Sequence, residues 1–219
     1  MANANQNRIV GMLGAKGTGK SYQAEILFRK APRAIVNDTN WEYKIGYVVS
    51  SRAELIKYLK RNRRFRVCFR PLEESDFELL CEVVQAKGNL LLVVEEASTY
   101  SGSLHVDPEF RKIISRNRHY GVDLVYTAQR IQDVSKKLTA QTDEFYLFRM
   151  VEPRDLDEIE KRFGVDIRDE VERLPDHKFV RIVVGKGEVD ELDSVRNLGA
   201  GSGSVSGAVS AADHSEVTG

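Results

Sequence analysis

The sequence predicts an α/β chain, a three-layer α/β/α sandwich whose central sheet is mainly parallel. Three observations carry this expectation. Short apolar runs alternate with segments of helical periodicity over residues 8–184. The most apolar run, Asn89-Leu90-Leu91-Leu92-Val93-Val94, is apolar on both sides and so belongs at the centre of a parallel sheet. The third is Gly14-Ala15-Lys16-Gly17-Thr18-Gly19-Lys20-Ser21, set between a buried strand expected over 8–13 and a helix over 20–31 that Pro32 stops. Strand, glycine loop and helix in that order aim backbone N–H groups and the positive end of a helix dipole at one spot.

The remaining elements follow in order. Ala34-Ile35-Val36 reads as a second strand. Ser51 and Glu54 form a capping box for a helix using Leu55, Ile56 and Leu59. Residues 65–69 alternate basic and apolar side chains, as a half-exposed or edge strand does. Ser75 and Glu78 form a second capping box, followed by Phe77, Leu80, Cys81 and Val84 at amphipathic helical spacing. Asp107-Pro108 starts a helix that turns Phe110, Ile113 and Ile114 inward and runs to about His119. A strand over 122–127 leads to a helix using Ile131, Val134 and Leu138, and then to a strand over 144–150. Pro153 opens a helix that Gly164 closes, and residues 178–184 with a turn at Gly185-Lys186-Gly187 suggest a terminal strand or hairpin.

Composition narrows the class. A chain of 219 residues holds one α/β domain with a well-buried core and is too short for two. Its 33 basic and 33 acidic residues exclude a globally basic nucleic-acid binder but not a local patch. Cys68 and Cys81 fit no metal spacing and read as small buried hydrophobes of a reduced, intracellular protein. No signal peptide is expected in 1–7, and no apolar run approaches the ~20 residues of a membrane span. The expected division is a polar arm over 1–7, a single α/β domain built on the glycine loop over 8–198 and a flexible Gly/Ser/Ala-rich tail over 199–219.

The glycine octet fits G-x-x-x-x-G-K-[ST], the phosphate-binding loop of P-loop NTPases. Gly14, Ala15, Lys16, Gly17, Thr18 and Gly19 would cradle phosphate, Lys20 would reach its β and γ groups, and the Ser21 hydroxyl would take a place on Mg²⁺. Glu95-Glu96 ends the central strand, and in an open parallel sheet that brings the two carboxylates beside the loop. Glu95 would hold Mg²⁺ through water, and Glu96 would orient the attacking water. Gln129, just past the strand that should neighbour this one, suits contact with the γ-phosphate and the lytic water. Arg116 and Arg118 offer guanidinium for the charge of phosphoryl transfer, within a subunit or across to a neighbour; the bland alternative is a basic helix C-terminus favoured by its dipole. Lys57, Lys60, Arg61, Arg63, Arg64, Arg66 and Arg70 fall within fourteen residues that hold no acid. That cluster reads equally as a sequence-indifferent DNA surface, centred on Arg61, Arg63 and Arg64, or as a solvated helix face beside a charge-blunted edge strand.

These stretches, with Asn37-Asp38-Thr39-Asn40-Trp41-Glu42-Tyr43, Arg116-Asn117-Arg118-His119-Tyr120-Gly121 and Thr127-Ala128-Gln129-Arg130, resemble the HerA/FtsK family of ring-forming ATPases. Asp38 and Glu42-Tyr43 resemble the family's Asp-x-x-x-Glu-Tyr motif, and Leu174-Pro175-Asp176 its closing segment. Within the family the likeness is to the genome-packaging ATPases of membrane-containing double-stranded DNA viruses. The resemblance implies a P-loop fold of the additional-strand, catalytic-glutamate type, with ATP and Mg²⁺ as cofactors. It further implies a homo-oligomeric ring, double-stranded DNA as substrate, a capsid or membrane-vertex protein as partner, and a place in the host cytoplasm or the virion. Glu96 becomes the catalytic carboxylate, Gln129 the sensor, and Arg116 or Arg118 the arginine finger. Many members carry Asp where this chain has Glu95, whose longer side chain reaches Mg²⁺ through water. The alternatives are a cellular or plasmid DNA pump of the same superfamily, an ATP-gated scaffold without turnover, and a small-molecule kinase, which would need an arginine lid.

Overall fold

The computed structural model describes residues 7–73, 75–184 and 188–193. The chain opens with β1 (Ile9–Leu13), α1 (Lys20–Lys30), β2 (Arg33–Asn37), β3 (Tyr47–Val49), α2 (Arg52–Arg61) and β4 (Phe65–Phe69). It continues through α3 (Asp76–Lys87), β5 (Leu90–Val94), α4 (Pro108–Tyr120), β6 (Val122–Ala128), α5 (Lys136–Ala140) and β7 (Glu144–Phe148). It closes with α6 (Pro153–Phe163), α7 (Val165–Arg173), β8 (Lys178–Val183) and β9 (Glu188–Asp193). All nine strands form one sheet in the order β3-β4-β2-β5-β6-β1-β7-β8-β9. The strands from β3 across to β7 pair in parallel, and β8 and β9 add antiparallel at one side. As the apolar run 89–94 predicts, β5 is buried along its whole length inside the sheet.

Each face of the sheet has its own core. Leu55, Phe77, Leu80, Phe110, Ile113, Leu156 and Val171 bring α2, α3, α4, α6 and α7 onto one face. Ala24 and Phe28 bring α1 onto the other, with Tyr43 beside them. The three-layer reading therefore holds, with the layers unequal.

Several local expectations need correction. Residues 65–69 form no edge strand, because β3 pairs outside β4; a strand of three residues is too short to show a period. The Ser75 hydroxyl caps no backbone N–H of α3. Asp76 organises that turn instead, its Oδ2 accepting from the Leu72 and Glu73 N–H groups at 2.9 and 3.1 Å. Ile131, Val134 and Leu138 do not share one helix: a single 3₁₀ turn, Ile131–Asp133, precedes α5, which Ser135 caps through the Leu138 N–H at 3.2 Å. The helix α7 is additional. Ser51 caps α2 through the Glu54 N–H at 3.3 Å, but the Glu54 carboxylate accepts from the Ser50 N–H rather than that of Ser51, so the box is half formed; the Asp107 cap is present as read, with Asp107 Oδ1 accepting from Glu109 and Phe110 at 3.0 and 2.9 Å. The β8–β9 pairing makes the terminal segment a hairpin. The turn at 185–187 and the tail over 199–219 lie outside the described residues.

This topology brings the carboxyl ends of β1, β5, β6 and β7 to one pole. Because β8 runs antiparallel to β7, with Phe179 opposite Phe148, the start of β8 comes to the same pole.

Candidate active site

The glycine loop is strung between strand ends. The Gly14 N–H donates to the Ala128 carbonyl at 3.3 Å and the Ala15 N–H to the Arg149 carbonyl at 2.9 Å, so the loop bridges the ends of β6 and β7. Glycine is required at position 14, where φ is +156° and a Cβ would stand 2.6 Å from Phe148 Cβ. Lys20 Nζ folds back onto the loop and donates to the carbonyls of Gly14 and Ala15 at 2.8 and 2.9 Å. Burial lowers its pKa, while the charges of Glu96, Glu95 and Glu42 oppose that shift. The ammonium is thus held against the carbonyls of the glycine loop.

Glu95 is 3 % exposed. Three hydroxyls donate to its carboxylate: Tyr43 Oη to Oε1 at 2.7 Å, and Thr127 Oγ1 and Ser21 Oγ to Oε2 at 2.6 and 3.2 Å. Burial pushes the Glu95 pKa up, and the three hydrogen bonds pull against it. Tyr43 stays a phenol, its own pKa pushed well up by burial and by the charge of Glu95. The Asp38 carboxylate sets the turn that delivers Tyr43, accepting from the N–H groups of Glu42 and Tyr43 at 2.8 and 3.4 Å. Arg70 holds that turn from behind. It pairs with Asp38 Oδ2 at 3.0 Å, donates to the Tyr43 carbonyl at 3.1 Å and lies over the Trp41 ring.

Glu96 leaves β5 in the left-handed region, with φ 50° and ψ 54°. A non-glycine residue held there signals a local constraint. The constraint is Thr127, whose Oγ1 accepts the Glu96 N–H at 3.1 Å while donating to Glu95. One hydroxyl therefore turns two consecutive carboxylates to different tasks. Glu95 goes inward to Ser21, and Glu96 outward, where its Oε1 accepts from Gln129 Nε2 at 3.2 Å.

Lys20, Ser21, Glu95, Glu96 and Gln129 thus come together. Arg116 and Arg118 do not join them. Both stand just before β6, whose opposite end touches Gly14; a seven-residue strand spans roughly 20 Å. Arg116 marks a break in α4, with φ −135° and ψ 23°, and Arg118 pairs with Asp143 at 3.5 Å. Arg61, at the end of α2, and Arg63 and Arg64, in the turn before β4, are exposed, also at the amino pole. The wider basic cluster breaks up, because Arg66 Nε donates to the Phe28 carbonyl at 3.3 Å and Arg70 serves the Tyr43 turn. Residue chemistry alone overlooked Tyr43 as a partner of Glu95 and Thr127 as the pivot between the two glutamates. The family-like spacing of Asp38 and Tyr43 was the available signal.

The donor set fits Mg²⁺. A serine hydroxyl and a carboxylate 3.2 Å apart are hard oxygen donors. Among the described residues no group of three or more His, Cys, Asp or Glu is arranged for a metal. That combination suits an ion shared with substrate phosphates rather than one caged by protein.

Fold and loop together define a P-loop NTPase. The genome packaging NTPase B204 from Sulfolobus turreted icosahedral virus 2, solved in complex with AMPPCP, superposes with a TM-score of 0.72 at 25 % identity, over 86 % of this chain and 97 % of that one. VirB4 of Thermoanaerobacter pseudethanolicus superposes with a TM-score of 0.60 at 11 % identity, over 84 % of this chain and 88 % of that one, which speaks for the fold. In sequence, Protein P9 of Pseudoalteromonas phage PM2 is 26 % identical over 139 residues, 59 % of this chain; the chain spans 63 % of that relative's length. No family model matches the sequence. No helix among the described residues is long and apolar enough to cross a membrane.

Proposed function

We propose that this chain is a Mg²⁺-dependent ATPase that drives double-stranded DNA into a viral capsid, working as a homo-oligomeric ring. One observation carries the hydrolytic part: Glu96, turned out by Thr127 and hydrogen-bonded to Gln129, stands beside a glycine loop that already holds its lysine. The likeness to a genome packaging NTPase carries the transport part. A capsid or membrane-vertex partner, and a location in the host cytoplasm or virion, rest on the family resemblance.

The chemistry follows from the residues. Backbone N–H groups from Lys16 to Gly19 and the start of α1 bind the phosphates, while those of Gly14 and Ala15 anchor the loop to Ala128 and Arg149. Lys20 Nζ exchanges its two loop carbonyls for β and γ oxygens. Ser21 and Glu95 would hold Mg²⁺, which when bound supplies positive charge at those oxygens. Glu96 accepts a hydrogen bond from the attacking water and takes up its proton, and the Gln129 amide aligns that water. Arg116 and Arg118, at the far pole of their own subunit, act on a neighbour's nucleotide through a head-to-tail contact of the kind that closes rings.

The test is steady-state ATPase with and without double-stranded DNA, for wild type and Glu96→Gln. DNA-stimulated turnover that drops at least about 100-fold in the variant, with ATP binding retained, supports the motor. Absence of wild-type turnover in both conditions would make the chain a nucleotide-gated scaffold.

A further inference from the structure

The sheet order places the catalytic carboxylates and the segment before β8 on opposite sides of the glycine loop. Glu95 and Glu96 follow β5, two strands to one side of β1; His177 precedes β8, two strands to the other. Each offset is about 10 Å. Ser21 and Tyr22, consecutive on α1, stand about 100° apart around the helix. Ser21 faces Glu95, and Tyr22 faces His177, their ring centroids 6.3 Å apart at 80°.

The segment at His177 is fastened to the loop. The His177 N–H donates to the Thr18 carbonyl at 3.0 Å. Asp176 pairs with Arg149 at 2.8 Å, and the Arg149 carbonyl accepts the Ala15 N–H. His177 itself sits at φ 65°, a left-handed conformation uncommon for a residue with a Cβ. A Cβ on Gly19 would stand 2.7 Å from its Nδ1, so the imidazole lies against the last turn of the loop. Tyr22 is 48 % exposed beside it.

We propose that Tyr22 and His177 form the nucleobase subsite, taking the purine of the bound nucleoside triphosphate. This rests on the nucleotide-binding reading. With β and γ phosphates engaged by Lys20 and Ser21 on the β5 side, the α-phosphate and ribose leave the cradle past the first turn of α1, on the β8 side. There the exposed Tyr22 ring offers a stacking face, and His177 bounds it edge-on. Recognition through a π-face favours the larger purine and reads little of its hydrogen-bonding edge.

Calorimetric titration of the full chain in Mg²⁺, with ATP and with inorganic tripolyphosphate, separates base from phosphate. Wild type should bind ATP about tenfold more tightly than tripolyphosphate. The double variant Tyr22→Ala/His177→Asn should lose that preference while holding tripolyphosphate within about twofold of wild type. Asn keeps a left-handed backbone at 177, and retained tripolyphosphate binding reports an intact loop. An ATP preference that survives in the variant, or is missing in wild type, overturns the subsite. So does a variant that loses both ligands, since the pair would then be shaping the loop. Wild type that binds neither ligand overturns the nucleotide-binding reading and this inference with it.

Discussion

Thr127 Oγ1 stands between two carboxylates, donating to Glu95 and accepting from the Glu96 N–H. Thr127→Val keeps the shape and removes both bonds. Leaving buried partners unsatisfied costs about 1–3 kcal/mol, so the variant should melt earlier and lose kcat with little change in ATP affinity; an unchanged kcat would deny Thr127 its positioning role. Glu95 makes a prediction in pH. Its folded-state pKa stands above the ordinary 4.5 because of burial. The folded chain then holds that proton more readily than the unfolded one. The associated stability is full below pH 4.5 and is lost as pH rises through the folded value. Glu95→Gln removes this loss. In nucleotide-free thermal melts its Tm relative to wild type should climb from acid to neutral pH, and a difference flat with pH would contradict the assignment.

Among the elements, two capping signals read from the sequence differ in fact. Asp107 accepts two N–H groups at the start of α4, so Asp107→Ala should cost about 1 kcal/mol in urea denaturation. Among the described residues the Ser75 hydroxyl reaches the Glu73 carboxylate at 3.4 Å and no N–H of α3, so Ser75→Ala should be nearly neutral; Asp76→Ala should carry the loss instead. An S-x-x-E pattern names residues able to cap, but the approach direction of the chain decides which oxygen meets the N–H groups. The same limit hid β3. Its three residues have no period of their own and become a strand because β4 offers them a free edge. By contrast β5 and the Asp107-Pro108 start were legible, since an unbroken apolar run and a cap followed by proline act locally.

Across the whole molecule, chemistry is divided between the poles of the sheet. Lys20, Ser21, Glu95, Glu96 and Gln129 stand at the carboxyl pole, and Arg61, Arg63, Arg64, Arg116 and Arg118 at the amino pole. If the arginines of one subunit serve the site of the next, Glu96→Gln and Arg116→Ala/Arg118→Ala chains, each inactive alone, should recover ATPase when mixed. No recovery, with assembly confirmed by light scattering, would argue against shared sites. If the patch before β4 follows DNA, Arg61→Ala/Arg63→Ala/Arg64→Ala should shallow the slope of log K against log salt by up to about 0.9 per lost phosphate contact. An unchanged slope would return those arginines to solvation.

The sequence by itself determined the glycine loop, the central strand that ends in Glu95-Glu96, and so the class of chemistry, because these signals are local: a cradle of N–H groups is written in eight consecutive residues. Only the tertiary structure decided what surrounds them. Tyr43 and Thr127 lie 52 and 32 residues from Glu95 along the chain, yet share its carboxylate. Tyr22 and His177 meet because β8 returns to the pole that β1 leaves. The basic cluster that reads as continuous from Lys57 to Arg70 divides in space, because Arg66 near the start of β4 is drawn to the Phe28 carbonyl while Arg70, past its other end, is drawn to Asp38 and Tyr43.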